Sequence, residues 1–560
     1  MPFPNGDASA PSNARPIVWR VALWALVCWV TIFWRLSYLP LIDPDEAHYA
    51  QITREMRALG DYLVPRIDGV PIIDKPALFH WIQAGSFAIF GENELGARMP
   101  TAIAALALLG ITFWLGKRLF GPVTGERAAL MLAMMPLSFV LASFAIFDMV
   151  FNAFLFGAFA LLIVSALERR PRLQIPGFIL LSLAVQIKGP FVFIVVVATA
   201  LMASLSKETR EILRRIRWVP GLIGAGILAL PWFVLMLREF GQQFIDGYVL
   251  YNNLQLFAAP LYRRSFYPFF YVRVALAAMF PWTLVCLGGL IDGWRHRHRG
   301  ELMDPRRVLL WTWTAVIFGF FSASRFKLDH YIFPLAPAAC LLAADAWERA
   351  ATEGGQKYRF TSISLLLTGI VLAVLGVVGG VALATVDLNL PPSSAVLFGV
   401  IGVGGLVWAG YLVSRKFRPP QFGWPLVATL LALYAGVVLI GFPVFRETRP
   451  GADLGVWLQS RVAPDDHIVI YRQGRWKASL RFYAEHPVQQ TELRDELLQT
   501  WTSPGRTYAV LIESDLDALK DAGLPVIEVH SERAIIDTNG RFLRTQVWGR
   551  VLIVTNKPPA

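Results

Sequence analysis

The segment DPDEAHYAQITREM, residues 43–56, places three acids within four positions just after a long apolar run. Carboxylates in such a place are candidates for general-base chemistry or for holding a cation. The segment also has the signals of a helix start, with Asp43 as the N-cap and Gly60 as the stop. We therefore expect Asp43 to cap the helix and Asp45 to be free for catalysis. The structural alternative is that Asp45 and Glu46 only complement the helix dipole.

A second candidate catalytic acid, Asp148, lies between two apolar segments in FAIFDMVFN. An ionisable residue in such a position is energetically costly and more often functional than structural, although a helix cap is the alternative. His48 follows Asp45 by three residues, so the two side chains share a helix face and could share a metal ion or a proton path. No spacing forms a specific metal motif, which leaves open whether Asp45, His48 and Asp148 hold a divalent cation or none.

Several cations accompany these acids along the chain and are candidates for binding phosphate, which proteins hold with arginine forks and lysine point charges. They are Lys75, Lys188, Arg263, Arg264, Arg325 and Lys327. For any single one, pairing with a lipid headgroup or a nearby carboxylate is the alternative. His330 follows the last of them, and with Glu46 and His48 it is a candidate for contacts with an acceptor or a metal. A structural hydrogen bond is the more common role of such a histidine.

The composition requires that lipid be part of the solvent of this protein. The chain has 560 residues, of which 55% are hydrophobic and only 16% charged, and a soluble domain cannot bury that much apolar surface. The net charge of +12 does not indicate nucleic acid, because the charges fall in short runs between apolar segments. All three cysteines lie inside apolar segments, which argues against a disulfide framework.

Apolar runs long enough to cross a bilayer predict about 13 membrane spans. They lie near residues 18–37, 100–118, 127–146, 149–167, 174–188, 190–205, 218–237, 273–291, 307–322, 331–347, 361–386, 395–413 and 424–442. With a cytoplasmic N-terminus, every strongly basic short loop falls on the inner side, as the positive-inside rule requires. The outer side then receives the loops 38–99 and 238–272, and the candidate acids and cations with them. A phosphate ligand would explain why so many cations lie on the disfavoured side.

The outer regions carry structure of their own. Ile52, Met56 and Leu59 share one face of the helix after Asp43, so we expect this helix to lie along the membrane surface, with a second surface helix in KPALFHWIQAGSFAIFG. From Arg446 onward the composition becomes that of a soluble protein, with four predicted strands and two predicted helices. We expect a membrane domain over 1–445 and an outer α/β domain over 446–560.

Acids and phosphate-binding cations that face one outer cavity suit transfer chemistry on a lipid-linked phosphate ester. The acid would act as general base or orient an acceptor hydroxyl, and the cations would stabilise the leaving phosphate. A transporter would instead place its charges near the middle of the bilayer, often in inverted repeats, which the sequence lacks. A membrane scaffold without enzymatic activity is a third class, in which the outer charges could be replaced without loss of transfer.

Six motifs along the chain resemble, in the same order, those of the bacterial GT-C glycosyltransferases. They are DPDEAHYAQITREM, DKPALFHW, GARMPTAIAAL, FDMVFN, IKGP and SRFKLDHYIFP. Within that fold the series is similar to that of the lipid A aminoarabinose transferases, relatives of the protein O-mannosyltransferases. The resemblance implies a polytopic α-helical protein of the bacterial inner membrane, with its active site and its C-terminal α/β domain in the periplasm.

The resemblance also implies an inverting transfer of a sugar from a polyprenyl phosphate to lipid A or to another periplasmic glycan or protein. It assigns acceptor activation to Asp45 and contact with the donor phosphate to Lys75. The family's arginine before an aromatic-rich stretch matches Arg263 or Arg264. Its KLPHY motif is present as KLDHY, so the roles of three residues carry over while the aspartate departs from the pattern. The three are Lys327 and Tyr331 at the donor phosphate, and His330.

Two further departures stand beside the key residues: DEAHY replaces DEGRY, and DKPAL replaces EKPPL. They leave the general chemistry intact but leave open which sugar and which acceptor are used. Galacturonosyl, hexosyl or protein O-mannosyl transfer by a related enzyme therefore stays an alternative, as does a transporter of a polyprenyl-linked sugar.

Overall fold

Helices form most of the described chain before residue 450 in the computed structural model, which describes residues 14–258, 269–299, 303–385, 390–539 and 545–558. The longer helices are Ala14–Cys28, Asp45–Leu59, Leu78–Phe90, Glu94–Phe120, Pro122–Ala133, Asp148–Leu167, Gln174–Lys188, Phe191–Ala203, Trp218–Phe240, Ile245–Gln255, Phe270–Ala278, Trp282–His298, Pro305–Ala323, Ala336–Glu353, Arg359–Thr385, Ser394–Ser414 and Trp424–Gly436. Each predicted span coincides with one or two of these helices. The chain is a mostly helical, multi-pass membrane protein.

Six helices within the described residues are long and apolar enough to cross a bilayer on their own. They are Glu94–Phe120, Phe147–Leu167, Trp218–Phe240, Arg359–Thr385, Ser394–Ser414 and Trp424–Arg446. A further pair, Phe270–Ala278 and Trp282–His298, would form a seventh span but bends by 111° at its break.

The predicted span 127–146 is also interrupted, because one helix ends at Ala133 and the next runs only from Pro136 to Leu141. Met135 between them is extended, the conformation that a following proline favours.

The helix Asp45–Leu59, called the Asp45 helix below, packs most of its apolar face against other parts of the protein. Ile52 and Met56 are buried in a cluster with Trp232 and Phe244, while Leu59 is exposed. The covering residues come from the helix Trp218–Phe240 and from the following segment, in which Gln242–Ala258 is helical where a loop was predicted. The apolar face of the Asp45 helix is therefore buried against protein.

A five-stranded sheet with helices on both faces forms what we call the C-terminal unit, residues 451–555. Its strands are His467–Tyr471, Val488–Thr491, Thr507–Ile512, Ile527–Asn539 and Thr545–Thr555, and its longer helices are Gly451–Gln459, Lys477–Ala484 and Arg494–Trp501. In spatial order the second strand is at one edge, followed by the first, third, fifth and fourth. The first three strands are parallel and the last two join antiparallel. One strand and the helix Lys477–Ala484 were not predicted, because VQQT has too few apolar residues to alternate and an eight-residue helix is too short to show its period over several turns.

The helix Lys477–Ala484 packs against the Asp45 helix, and one contact corrects the prediction for Asp43. The Asp45 helix begins without a side-chain cap, since Pro44 occupies the N-cap position. The Asp43 carboxylate instead accepts hydrogen bonds from Ser479, one from its backbone N–H at 2.8 Å and one from its hydroxyl. Asp43 therefore binds a residue far along the chain instead of capping the helix that follows it.

Candidate active site

A cavity of about 300 Å³ opens where several helices end, and it is lined by half of the predicted site residues. Asp45 and Asp148 are each the first residue of a helix, and Lys188 is the last residue of another. His330 and Tyr331 come from a short 3₁₀ helix, Asp329–Leu335. Carboxylates at helix N-termini interact favourably with the helix dipole, so the fold itself supports acids in these positions.

Asp148 and Lys188 form the most buried ion pair of the cavity. The Lys188 Nζ lies 2.5 Å from the Asp148 Oδ1, and both side chains are buried. The His330 Nε2 lies 3.6 Å from the second carboxylate oxygen, Oδ2. The Lys188 Nζ is also 4.9 Å from the ring centroids of Phe151 and Tyr331. The arrangement fixes a cation beside aromatic rings, with a carboxylate oxygen turned toward a histidine.

Gly189 explains how Lys188 can end its helix at this point. Its φ of +105° is disfavoured for residues with a side chain. A Cβ at this position would also lie 2.5 Å from the Tyr248 hydroxyl. Glycine therefore allows the helix carrying Lys188 to stop directly against the segment Ile245–Gln255.

Asp45 faces the cavity and remains accessible from it. Burial by the surrounding protein raises the pKa of its carboxyl above the ordinary value, and the Asp148 carboxylate acts in the same direction. His330 and His48 oppose this shift. A carboxylate with a raised pKa is a better base than an ordinary aspartate, which suits it to accept a proton.

Lys75 lines the same cavity from the outer loop, next to a residue that was not singled out from the sequence, Asp74. The Lys75 Nζ donates to the Asp74 backbone carbonyl at 3.1 Å and lies 3.9 Å from its Oδ2. These contacts are long for a cation and leave donor capacity toward the cavity.

Glu46, predicted as a contact of an acceptor or a metal, is instead a structural anchor. Its carboxylate accepts from the Arg98 Nε and Nη2, both at 2.8 Å, and from the backbone N–H groups of Ile42 and Ala145. The side chain is fully buried and does not line the cavity. Because both oxygens are occupied, the geometry argues against the predicted role.

Lys327, which was predicted to bind the donor phosphate, contacts backbone carbonyls in the structure. Its Nζ donates to the backbone carbonyls of Phe321, Ser322 and Ser324 at 2.5 to 3.2 Å. An ammonium group has three donors, so these carbonyls at the end of the helix Pro305–Ala323 can take up all of them. Lys327 does not line the cavity.

The remaining predicted residues are His48, Arg263 and Arg264. His48 does not line the cavity, and burial lowers the pKa of its imidazole. Arg263 and Arg264 lie outside the described residues. Across the described ranges, no group of three or more His, Cys, Asp and Glu side chains is placed to hold a metal ion.

Besides Asp74, four polar residues of the cavity wall were not predicted from the sequence: Tyr49, Asn252, Asn253 and Ser324. Tyr49 follows Asp45 by four residues and so shares its helix face, a signal that was available. The two asparagines lie on a π-helix, Ile245–Gln255, in a segment predicted to be a loop. Helices of this type are frequent at functional sites, but the sequence alone does not reveal them.

The other wall of the cavity is apolar and aromatic. It contains Phe191, Phe257, Phe320 and Phe321, and the rings of Phe191 and Phe320 stack at 5.9 Å. One wall of the cavity is thus charged and the other is apolar, which suits a ligand with a polar head and a lipid tail.

Comparisons with known proteins agree with this architecture. Residues 74–235 match the family model of the dolichyl-phosphate-mannose-protein mannosyltransferases. The chain is 26% identical to the undecaprenyl phosphate-alpha-4-amino-4-deoxy-L-arabinose arabinosyl transferase of Yersinia enterocolitica, over 74% of this chain and 71% of the relative. It is 27% identical to the transferase of the same name from Serratia proteamaculans, over 72% and 75%. An uncharacterized protein of Aquifex aeolicus is 26% identical, over 81% and 85%.

Two solved structures share the fold. ArnT from Cupriavidus metallidurans bound to undecaprenyl phosphate superposes with a TM-score of 0.76 at 22% identity, covering 98% of this chain and 99% of that one. The archaeal oligosaccharyltransferase AglB from Archaeoglobus fulgidus superposes with a TM-score of 0.51 at 11% identity, covering 90% and 70%. The chain therefore has the fold of ArnT and resembles the aminoarabinosyl transferases in sequence, which confirms its predicted resemblance to this branch of the GT-C glycosyltransferases.

Proposed function

We propose that the protein is an inverting glycosyltransferase that transfers aminoarabinose from undecaprenyl phosphate to lipid A at the periplasmic face of the bacterial inner membrane. The observation that carries the proposal is the single cavity that joins Asp45, Lys75 and the Asp148–Lys188 pair to an aromatic wall. The names of the relatives supply the donor class.

In the proposed reaction the acceptor oxygen attacks the anomeric carbon of the sugar while Asp45 accepts the proton of that oxygen. The bond from the anomeric carbon to the phosphate oxygen breaks, and its electron pair leaves with the polyprenyl phosphate. Lys75 and Lys188 stabilise the negative charge that develops on this phosphate, with Tyr331 beside it. One displacement from the opposite face inverts the anomeric centre.

The membrane arrangement is part of the proposal. We assign about 13 spans, a cytoplasmic N-terminus, a membrane domain over 1–445 and a periplasmic α/β domain over 446–560. The helices that coincide with the predicted spans and the distribution of basic loops support this arrangement.

The test is sugar transfer by the purified protein in lipid, with polyprenyl-phosphate aminoarabinose and lipid A, followed by mass spectrometry. We expect wild type to form product and Asp45→Asn to fold but form none. Asp329→Asn is the matched control, because this exposed acid stands near the site but not in the cavity wall. Full activity of Asp45→Asn would refute the catalytic role, and no product from wild type would refute the substrate pair.

A second experiment tests the phosphate site. Lys75→Ala should weaken binding of the polyprenyl-phosphate donor, measured by titration in nanodiscs, and unchanged donor affinity would count against this role. Parallel assays with galacturonosyl, hexosyl and mannosyl donors, and with a peptide acceptor, test the related alternatives. Among these, the match to the protein mannosyltransferases favours transfer to a peptide. Movement of the donor across liposomes without transfer would favour a flippase.

A further inference from the structure

The helix Lys477–Ala484 of the C-terminal unit, here called the docking helix, contacts the segment that leads into Asp45. Its Ser479 holds Asp43, two residues before Asp45, through the two hydrogen bonds described above. Both partners are buried. The hydrogen bonds connect parts of the chain that are 436 residues apart.

Tyr483 of the docking helix makes a second connection to the same segment. Its hydroxyl accepts a hydrogen bond from the backbone N–H of Leu41 at 2.8 Å and donates one to the Glu94 Oε1 at 2.7 Å. Leu41 is 2% exposed, so its N–H has no ready access to water. Removal of the hydroxyl would leave a buried backbone donor without this partner.

Phe482 supplies packing between these two polar contacts. Its ring is buried in a cluster with Leu41, Ala47 and Ala50, the last two on the Asp45 helix. The Arg54 guanidinium lies 3.8 Å from the ring centroid and donates to the Phe482 carbonyl at 2.6 Å. The docking helix therefore holds both the entry and the first turns of the Asp45 helix.

On the opposite side, the neighbouring residue Glu46 is fixed by Arg98 within the membrane part. Asp45 thus stands between an anchor from the membrane part, at Glu46, and an anchor from the C-terminal unit, at Asp43. Catalytic groups must be held to a fraction of an ångström, and a misplacement of about 1 Å can reduce the rate about a hundredfold.

We propose that Ser479 and Tyr483 are positioning residues of the active site, so that the C-terminal unit is required for catalysis because it fixes the direction in which Asp45 faces the cavity. This inference rests on the proposed role of Asp45. It assigns the C-terminal unit a task in the transfer step rather than in donor binding, because the donor-phosphate candidates Lys75 and Lys188 belong to other elements.

The test compares two double variants of the full-length protein in lipid. Ser479→Ala/Tyr483→Phe removes two hydroxyl groups from the docking helix. Ser460→Ala/Tyr508→Phe is the matched control, because it removes the same two groups from contacts within the C-terminal unit. We expect kcat to fall about tenfold or more in the first variant, with KM for the donor within about twofold of wild type. The control should keep both.

Hydrogen–deuterium exchange of residues 41–48 gives a second readout that does not depend on the substrates. We expect faster exchange there in Ser479→Ala/Tyr483→Phe than in the control, with unchanged exchange in the helix Arg359–Thr385. Equal kcat in the two variants, or equal exchange of residues 41–48, would overturn the inference. If wild type formed no product, the proposed function would fail while the exchange experiment would still decide whether the docking helix holds the Asp45 segment.

Discussion

Arg98 and Glu46 form a bidentate ion pair, with both contacts at 2.8 Å and both side chains almost completely buried. Glu46 directly follows Asp45 in the chain. Arg98 donates further to the carbonyls of Leu36, Leu39 and Pro40. The pair thereby connects the end of the first membrane segment to the start of the Asp45 helix.

This pair predicts a stability effect that differs between single and double variants. Arg98→Met leaves Glu46 buried without a counter-charge, which should cost about 3–5 kcal/mol or prevent folding. Adding Glu46→Gln should restore part of the loss, because the uncompensated charge is gone. Thermal unfolding in detergent across the four forms of the double-mutant cycle measures the coupling. Additive effects would contradict a direct pair.

The raised pKa of Asp45 predicts the pH dependence of transfer. The carboxylate is the active form of a base, so kcat/KM should fall as the pH drops through a pKa above the ordinary value of about 4. The shift arises from burial first and from Asp148 second among the groups that raise it. A pH profile with donor affinity measured in parallel separates Asp45 from titration of the donor phosphate. An acidic limb at or below pH of about 4 would be inconsistent with this prediction.

Gly189 predicts a local requirement for glycine beside Lys188. Gly189→Ala should lower the melting temperature and reduce transfer about tenfold or more, because the new Cβ would displace the Tyr248 hydroxyl or Lys188 itself. Gly121→Ala is the matched control, since its φ of +100° is similar but no atom lies within 4 Å of a Cβ there. Tyr248→Phe in the Gly189→Ala background should recover part of the loss. If Gly189→Ala and Gly121→Ala had equal effects, the backbone conformation alone, and not the contact with Tyr248, would account for the loss.

Asp43 predicts a pH-dependent stability with a defined sign. Burial raises the pKa of its carboxyl to about 6, and the Ser479 hydrogen bonds only partly oppose this. The folded state therefore binds the proton more tightly than the unfolded state does. The resulting stabilisation is complete below about pH 4 and is lost as the pH rises through about 6.

Asp43→Asn should then be increasingly more stable than wild type as the pH rises from about 4 to 7, by on the order of 1–3 kcal/mol at neutral pH. The amide keeps an acceptor for the Ser479 N–H, so the contact with the docking helix survives. Melting temperatures measured across this pH range provide the test, with the exposed Asp465→Asn as control. A difference between variant and wild type that does not change with pH would refute the assignment.

Much of the fold and part of the site follow from the sequence because they rest on local signals. Long apolar runs specify membrane helices wherever they occur, and the charge of the loops then places Asp45, Lys75 and Asp148 on one side. The structure brings these three into one cavity. Residues at adjacent ends of neighbouring helices are close in space, so the helix order alone brings them near one another.

The sequence did not reveal partners that are distant along the chain. Asp43 has every local feature of a helix cap, yet the partner it binds is Ser479. Glu46 resembles its neighbour Asp45 in type and position, and only the approach of Arg98 separates a structural acid from one that faces the cavity. Lys327 stands in a recognisable motif but donates to carbonyls of the preceding helix. For Asp43 and Glu46 a tertiary contact decided among roles that the local sequence allowed equally, whereas the partners of Lys327 lie only three to six residues away.

The position of the cavity at helix ends has a geometric consequence for the substrates. Asp45, Asp148 and Lys188 are terminal residues of three different helices, and all three line the same cavity. Under the proposed function, a donor anchored in the bilayer by its prenyl chain brings its phosphate and sugar to this cavity, and the acceptor must present its hydroxyl there. Under the proposed function, the ends of these helices thus determine where the glycosidic bond forms, so that only substrates able to reach the cavity from the bilayer can react.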